Sequence, residues 1–548
     1  MTERAREIKR PVRHGTNSVF RTSVGSGGLR RSLLAACLFV SFIQSLFFAY
    51  ALVPEVDDAL HMFLGRSALS GEISLFQDEM TGHRVPLSHY FIGLSQILWP
   101  GSVVAARLFS AGLGTLSVLL LFFLATRLGG ELCGTLTTLF AVTHGVIIGY
   151  FVYASYHSLV SFLLLAGFYV LLCTSLRYKR VVAMSLFSLI FFTRSLMIPV
   201  IPLAFLYLIW EAKRWGERLA IVAVTVVPPV AFFLYDVNHL KLLAHVPVLN
   251  RVVLPLGFQS LTILTPAFPH EADLGASVMN ALTVLVRWYK VWIVAALVLV
   301  AWAVLRVVRG LRVGGVASNR GVNMITVVAL YLALSQVLIF FRHSFSMAVG
   351  YFPSFAILAT IWLGFGFSVL IESVGSVWRR RAVLVALAGL FLVAPALSRS
   401  PTLPLAVAYD YPPTLALYSL GEALGRVIPK GSRVFHIGAT QALYMAGLKP
   451  YLRQVYDVWT LAPTAEEWVR KKSGLWGGPE IRAWLTTDAE YAVIVPTVLD
   501  FYRASADAPL RASLDLIESL LAEHFTRVAV LDQYPGLVFH VYKRTSRV

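Results

Sequence analysis

The feature that most restricts this fold is a succession of apolar runs, most of them about as long as a bilayer crossing. A helix through the hydrocarbon core needs roughly 20 mostly apolar residues. Such runs cover about 33–53, 103–125, 131–150, 157–176, 219–235, 281–305, 322–341, 346–371 and 382–397. Another stretch, 181–210, is interrupted by Thr193-Arg194-Ser195. At about 1.5 Å per residue it is too short for two full crossings. It reads as two short, tilted or partly buried helices with a turn at Arg194. The expectation is therefore about eleven transmembrane helices. The chain is 57% hydrophobic and only 14% charged, more apolar surface than a soluble domain can hide.

Charge then orients the runs. A net charge of +18 would suit a nucleic-acid partner, but the Lys and Arg residues lie mostly in short loops beside apolar runs, where the positive-inside rule expects them. Residues 1–32 form a basic tail with Arg4, Arg6, Lys9, Arg10, Arg13, Arg21, Arg30 and Arg31. Every second loop after it is basic: Arg127, Arg177 to Arg180, Lys213 to Arg218, Arg306 to Arg320, and Arg379 to Arg381. The alternate loops carry Asp57, Asp58, Glu72, Asp78, Glu79, Glu271 and Asp273. The pattern predicts a cytoplasmic N-terminus and a C-terminus on the opposite side. The tail precedes a long apolar span with no clear small-residue cleavage site, so it reads as an uncleaved anchor. Cys37, Cys133 and Cys173 all fall within apolar runs and read as small buried hydrophobes, not as a disulfide framework.

Three segments follow from this: the tail 1–32, a transmembrane region 33–397, and a mixed segment 398–548. From Ser398 prolines cluster and charges mix evenly. Strand-like runs occur at 432–437, 492–495 and 527–531. The last turns through Tyr534-Pro535-Gly536 into 537–542, a hairpin signal. Helical patterns lie at about 413–427 and 509–524. This is a small α/β domain, expected on the extracytoplasmic side.

The first outer loop, 54–102, concentrates polar chemistry. Val53-Pro54-Glu55-Val56-Asp57-Asp58 follows the first span directly. Adjacent carboxylates at a membrane surface are expensive and mark functional positions. A helix is predicted over Ala59 to Ser70, ended by Gly71, with Asp57 as its N-cap. Capping alone would explain the acids, and it is compatible with a chemical role. His61 lies four residues on, on the same helical face, where it can orient the acid or simply face headgroups.

These residues carry a resemblance. The chain resembles the GT-C class of integral-membrane glycosyltransferases, and within it the branch of the protein O-mannosyltransferases and lipid A aminoarabinose transferases. In that branch an Asp-Glu pair opens the first outer loop, followed by an Arg and a Gly. Here Asp57 and Asp58 take the pair, Arg66 the Arg and Gly71 the Gly. Pro86-Leu87-Ser88-His89-Tyr90, Ala105-Ala106-Arg107-Leu108 and Arg127-Leu128-Gly129-Gly130 match further family segments. The likeness is densest over 53–175. The chain departs from the pattern at Asp58, where Glu is usual, at His157, where relatives carry Asp, and at Thr193-Arg194-Ser195, where relatives show a Thr-Lys-Gly turn.

The resemblance implies transfer of a sugar from a polyprenyl-phosphate donor to a hydroxyl or phosphate acceptor, with inversion, on the outer face. Such a transfer needs a base for the acceptor proton, and a carboxylate can be one. Asp57 and Asp58 are the candidates, with Glu55, His61, Arg107 and His157 in support. The departing lipid phosphate needs cations. Arg84, Arg194, Lys290, Arg342 and His343 are the outer-side candidates, Arg342 foremost because it sits in a very short outer turn. Each can equally snorkel to headgroups. A divalent cation beside Asp57 is compatible with the class. His270-Glu271-Ala272-Asp273 offers ligand types but reads as a solvated loop. Trp288, Tyr289 and Trp292 read as an interfacial belt. Arg outnumbers Lys and no Asn-x-Ser/Thr site occurs, which favours a bacterial cytoplasmic membrane. The rival class is a transporter or lipid flippase. It would place ionisable groups at mid-membrane in repeated halves, and neither is visible here.

Overall fold

The computed structural model describes residues 27–52, 56–73, 86–194, 197, 199–235, six positions between 275 and 286, 289–308, 319–343, 352–374, 376–397, 414–455, 457–467, 470–471, 474–534 and 537–545. The N-terminal helix α1 spans Gly27–Ala51. Two short helices follow, α2 (Val56–Leu69) and α3 (Pro86–Leu98). Gly71, at φ +74°, ends the α2 segment, as the sequence suggested.

Helix α4 runs Val103–Val142, with Ser102 Oγ accepting from the Ala105 N–H at its start. Gly129 and Gly130 break its helical geometry, Gly130 at φ +82°, a backbone state that glycine reaches without strain. The expected span 131–150 is not one helix. It stops at Val142, and a separate α5 covers Gly145–Val152. After a non-helical turn at 153–156, α6 covers His157–Cys173, bent 109° from α5. The apolar run hides this break because its residues are buried on both sides of it. Non-helical backbone at this depth is tolerated where protein groups satisfy it.

Helices α7 (Lys179–Leu189) and α8 (Val200–Glu211) are the two short helices expected from 181–210, with the interruption at Thr193-Arg194. Then come α9 (Trp215–Tyr235), α10 (Lys290–Val308), α11 (Arg320–His343), α12 (Pro353–Ser373) and α13 (Val377–Leu397). Among the described residues four helices are long and apolar enough to cross a membrane, and α5 with α6 could form a fifth crossing. The chain is an integral membrane protein. The central contact is α4 against α12, where a Cβ on Gly364 would sit 2.6 Å from the Thr137 nitrogen. Close approach over a small residue is how apolar helices pack without a hydrophobic driving force between them.

The C-terminal segment forms α14 (Thr414–Val427), β1 (Arg433–Ile437), α15 (Thr440–Met445), β2 (Lys449–Pro450), α16 (Gly478–Ala483), β3 (Tyr491–Ile494), α17 (Pro496–Ser505), α18 (Ala508–His524), β4 (Phe525–Tyr534) and β5 (Leu537–Arg544). The strands make one sheet in the order β2-β1-β3-β5-β4. β1 is parallel to β2 and β3, whereas β5 is antiparallel to both neighbours. This unit rests on α2 and α3. Tyr444 Oη donates to Gln96 Oε1 at 2.7 Å, and the Val103 N–H donates to Tyr418 Oη at 2.7 Å. Met62 and Ile92 pack with Tyr444, while Leu60 and Leu64 pack with Val455. Each such buried side chain contributes about 1.5–3 kcal/mol, so α2 is clamped between the bundle and the sheet.

Candidate functional site

The site begins at the first turn of α2. The helix starts at Val56, so Asp57 and Asp58 are its first-turn residues, and the expected N-cap role for Asp57 is corrected. Both carboxylates still face the favourable end of the helix dipole. Successive helical residues point about 100° apart, which sends the two acids into different surroundings.

Asp58 is fully buried and committed. Its Oδ2 accepts from Arg107 Nη2 at 2.7 Å, and its Oδ1 accepts from the Ala154 N–H at 2.5 Å. Arg107, equally buried, also donates Nη1 to the carbonyls of Leu52 at 2.9 Å and Ala49 at 3.2 Å. One carboxylate–guanidinium pair thus ties α2 to the end of α1, to α4 and to the turn before α6. The break at 153–156 has a physical reason here: it frees the Ala154 N–H to bind a buried carboxylate.

Asp57 is half-buried, and among the described residues its carboxylate makes no hydrogen bond or ion pair. Burial raises its pKa from the ordinary Asp value, and the Arg194 guanidinium opposes that rise. One turn further on α2, His61 belongs to a cluster of three buried rings. His61 Nδ1 is 2.8 Å from the Asp57 carbonyl oxygen. The His61 ring lies 4.5 Å from that of His89 and 6.2 Å from that of Tyr156. His61 is therefore enclosed, which corrects the headgroup-facing reading. Burial pushes its pKa down to about 4, against the raising contact with the Asp57 carbonyl, and Arg194 lowers it further. Neutral imidazole is its form at pH 7.

Arg194 is brought in by the interruption between α7 and α8. Its guanidinium carbon lies 3.7 Å from the centroid of the Tyr156 ring, a close cation–π stack. His157 opens α6, with its ring 4.1 Å from Tyr156 and 4.9 Å from Tyr150. Its Nδ1 meets Ser354 Oγ at 3.3 Å across the bundle. Three backbone interruptions, before α2, before α6 and after α7, so converge on one polar pocket. The arrangement sets a carboxylate, a guanidinium and the neutral His61 imidazole among buried aromatic rings. Such a site can accept a proton and stabilise an anion in the same space.

The other expected positions fall as follows. Lys290 opens α10, next to Tyr289. The Tyr289 ring stacks on His144 at 4.9 Å and meets Phe352 at 6.1 Å, two residues before Ser354. Tyr289 and Trp292 are buried against His144, so they are not an interfacial belt. Glu55, Arg84, Trp288 and the 270–273 cluster lie outside the described residues. Arg342 and His343 end α11, and their side chains lie outside them too. Sequence reasoning missed His89 and Tyr156 as neighbours of His61, and Ser354 as the partner of His157. Their only signal was a polar residue opening or interrupting an apolar run.

A divalent cation beside Asp57 finds no ready-made ligand set among the described residues. No group of three or more His, Cys, Asp or Glu side chains forms a metal cluster among the described residues. The charge that Asp57 faces is already a guanidinium, so no step is routed through a metal.

No protein-family model matches the sequence, and no curated protein matches it significantly. Solved structures do. ArnT from Cupriavidus metallidurans bound to undecaprenyl phosphate superposes with a TM-score of 0.55 at 12% identity, over 95% of this chain and 99% of that one. Its apo form gives 0.54 at 14% identity, over 94% and 98%. At such identities the likeness speaks for architecture, and it extends over both the helical bundle and the C-terminal sheet: the chain has the GT-C glycosyltransferase fold.

Proposed function

We propose that this protein is a glycosyltransferase that moves a sugar from a polyprenyl-phosphate donor to an acceptor hydroxyl or phosphate at the outer face of a bacterial cytoplasmic membrane. The observation that carries the reading is the division of labour between adjacent acids. Asp58 is consumed by Arg107 and the Ala154 N–H, whereas Asp57, beside Arg194, makes no hydrogen bond or ion pair among the described residues. The architecture shared with ArnT, which was solved with undecaprenyl phosphate, supports the choice of donor.

In this reading Asp57 takes the proton of a hydroxyl acceptor as its oxygen attacks the anomeric carbon. The bond from that carbon to the carrier's phosphate oxygen breaks, and its electron pair leaves with the polyprenyl phosphate. A single displacement inverts the anomeric configuration. Arg194 faces the phosphate charge that grows as the bond breaks, and a guanidinium in a dry site stabilises it strongly. Lys290 stands at the same end of the bundle, and Arg84, Arg342 and His343 belong to the same proposed cation set. His61 and His157, both buried among rings, hold the pocket's shape and donate or accept single hydrogen bonds.

The topology proposed with it has about eleven crossings, residues 1–32 in the cytoplasm, and 398–548 as an extracytoplasmic α/β domain that roofs the first-loop helices. The test is transfer from a purified polyprenyl-phosphate sugar by the protein in liposomes. Cells lacking the protein should accumulate the glycosylated carrier. A flippase would instead move the lipid without cleaving it, leaving sugar and phosphate joined.

A further inference from the structure

A second feature lies at the opposite end of the bundle. Between α6, α7, α8 and α11 is an apolar cavity of about 450 Å³, walled by residues such as Phe168, Phe187, Leu203, Ala204, Val327 and Val328. That volume is in the range of ligand sites. A smaller chamber of about 220 Å³ adjoins it and shares Leu171, Tyr207, Arg320 and Met324 with it. The smaller chamber is mixed, with Lys179, Arg180, Arg320 and one carboxylate, Glu211, set beside apolar side chains such as Leu172 and Met324.

Glu211 is taken up by Arg320, and Arg180 pairs with Glu217 at 3.0 Å. Lys179 has no ion pair among the described residues. The fissure thus has a greasy shaft and a mouth with surplus positive charge. Leu171 in its wall is fourteen residues beyond His157 on α6, so about 21 Å of helix separates it from the candidate site. The mouth belongs to the basic end of the bundle, with Arg177, Lys213 and Arg214 in the adjoining turns. Topology alone would explain the basic turns, but not a chamber that joins them to a half-open apolar shaft.

We propose that this fissure binds one anionic phospholipid of the cytoplasmic leaflet, with an acyl chain in the cavity and the phosphodiester at Lys179, Arg180 and Arg320. A free phosphate would use the mouth and leave the shaft empty, and a zwitterionic lipid would bring its own cation to a mouth already positive. The cytoplasmic assignment follows from the proposed orientation; the binding itself does not depend on the enzymatic reading.

The full-length protein, purified and stripped of lipid in mild detergent, is titrated with phosphatidylglycerol, phosphatidylcholine, inorganic phosphate and undecaprenyl phosphate, and read by native mass spectrometry. One phosphatidylglycerol should be retained in preference to phosphatidylcholine. Lys179→Gln should weaken it roughly three- to tenfold, and Ala204→Phe, which fills the shaft, should abolish it. Phosphatidylglycerol should also raise the thermal midpoint of the wild type more than that of Lys179→Gln, which keeps the test decisive if Ala204→Phe fails to fold. Equal retention of the two phospholipids, or unchanged binding in Lys179→Gln, would overturn the proposal. Displacement of phosphatidylglycerol by undecaprenyl phosphate, with direct retention of that carrier lost in Ala204→Phe, would overturn it by giving the shaft to a carrier tail. Phosphate competing as well as the lipid would overturn the acyl part.

Discussion

Replacing Asp58 with asparagine removes a charge from a buried pair and leaves its partner behind. The amide side chain keeps the shape and can still accept from the Ala154 N–H. The Arg107 guanidinium keeps the carbonyls of Leu52 and Ala49 and a Tyr153 ring 5.3 Å away, but it loses its carboxylate while fully buried. Breaking one side of a buried pair typically costs about 3–5 kcal/mol, mostly because the remaining charge is stranded. The loss should appear as a large drop in thermal midpoint in detergent. Removing both charges should be far milder, so Asp58→Asn with Arg107→Met should recover most of the stability. The cycle would show a coupling of about 2 kcal/mol or more, in the range seen for residues in direct contact. If Asp58→Asn costs under about 1 kcal/mol, or the two changes simply add, the pair is not the clamp described here.

Three further outcomes follow from the geometry. Gly65→Ala would place a Cβ 2.1 Å from the His89 carbonyl oxygen and 2.8 Å from Gly93 Cα, so α2 must shift against α3. Overpacking of this kind costs about 1–3 kcal/mol, and both midpoint and turnover should fall; unchanged values of both would refute the contact. Arg194→Ala should raise the donor requirement by roughly ten- to a hundredfold, as expected for loss of one charge-assisted contact, and donor saturation kinetics read this directly. The pH profile of kcat/KM should have an acid limb above the usual aspartate range, because burial raises Asp57 and activity is lost as pH falls through that raised value. The same shift makes the folded state hold the proton more tightly than the unfolded one. Stability should then decline as pH rises from 3.8 toward the raised pKa. His61, lowered from 6.5 to about 4 in the folded state, should add no inflection near pH 6.5 to the rate profile, but it makes stability fall as pH drops from 6.5 toward 4, against the Asp57 contribution.

Much of this was readable from the chain, and the misses share a cause. The C-terminal strands and the hairpin at 534–537 fall within a few residues of expectation, because short β-branched runs bounded by turn residues are local signals. Arg194 marked its own break by interrupting an apolar run. The 143–156 region gave no such sign: an apolar run buried on both sides looks the same whether straight or bent by 109°. The enclosure of His61 could not be read from α2 alone. What encloses it comes from far along the chain, with Tyr444 and Val455 covering α2 and the His89 and Tyr156 rings beside it. Tyr289 and Trp292 were misread for the same reason, since His144 is about 145 residues away in sequence and no periodicity reports it.

The most direct test of the account is turnover of Asp57→Asn, measured with a purified polyprenyl-phosphate sugar in liposomes, beside its thermal midpoint and donor binding. Asparagine keeps the side chain's shape but cannot take the acceptor's proton. Loss of a positioned base lowers rate by about 10²–10⁴, so the variant should fold and bind donor like the wild type while turning over at least a hundredfold more slowly. Near-normal turnover in a well-folded Asp57→Asn would contradict the assignment of the base and, with it, the mechanism.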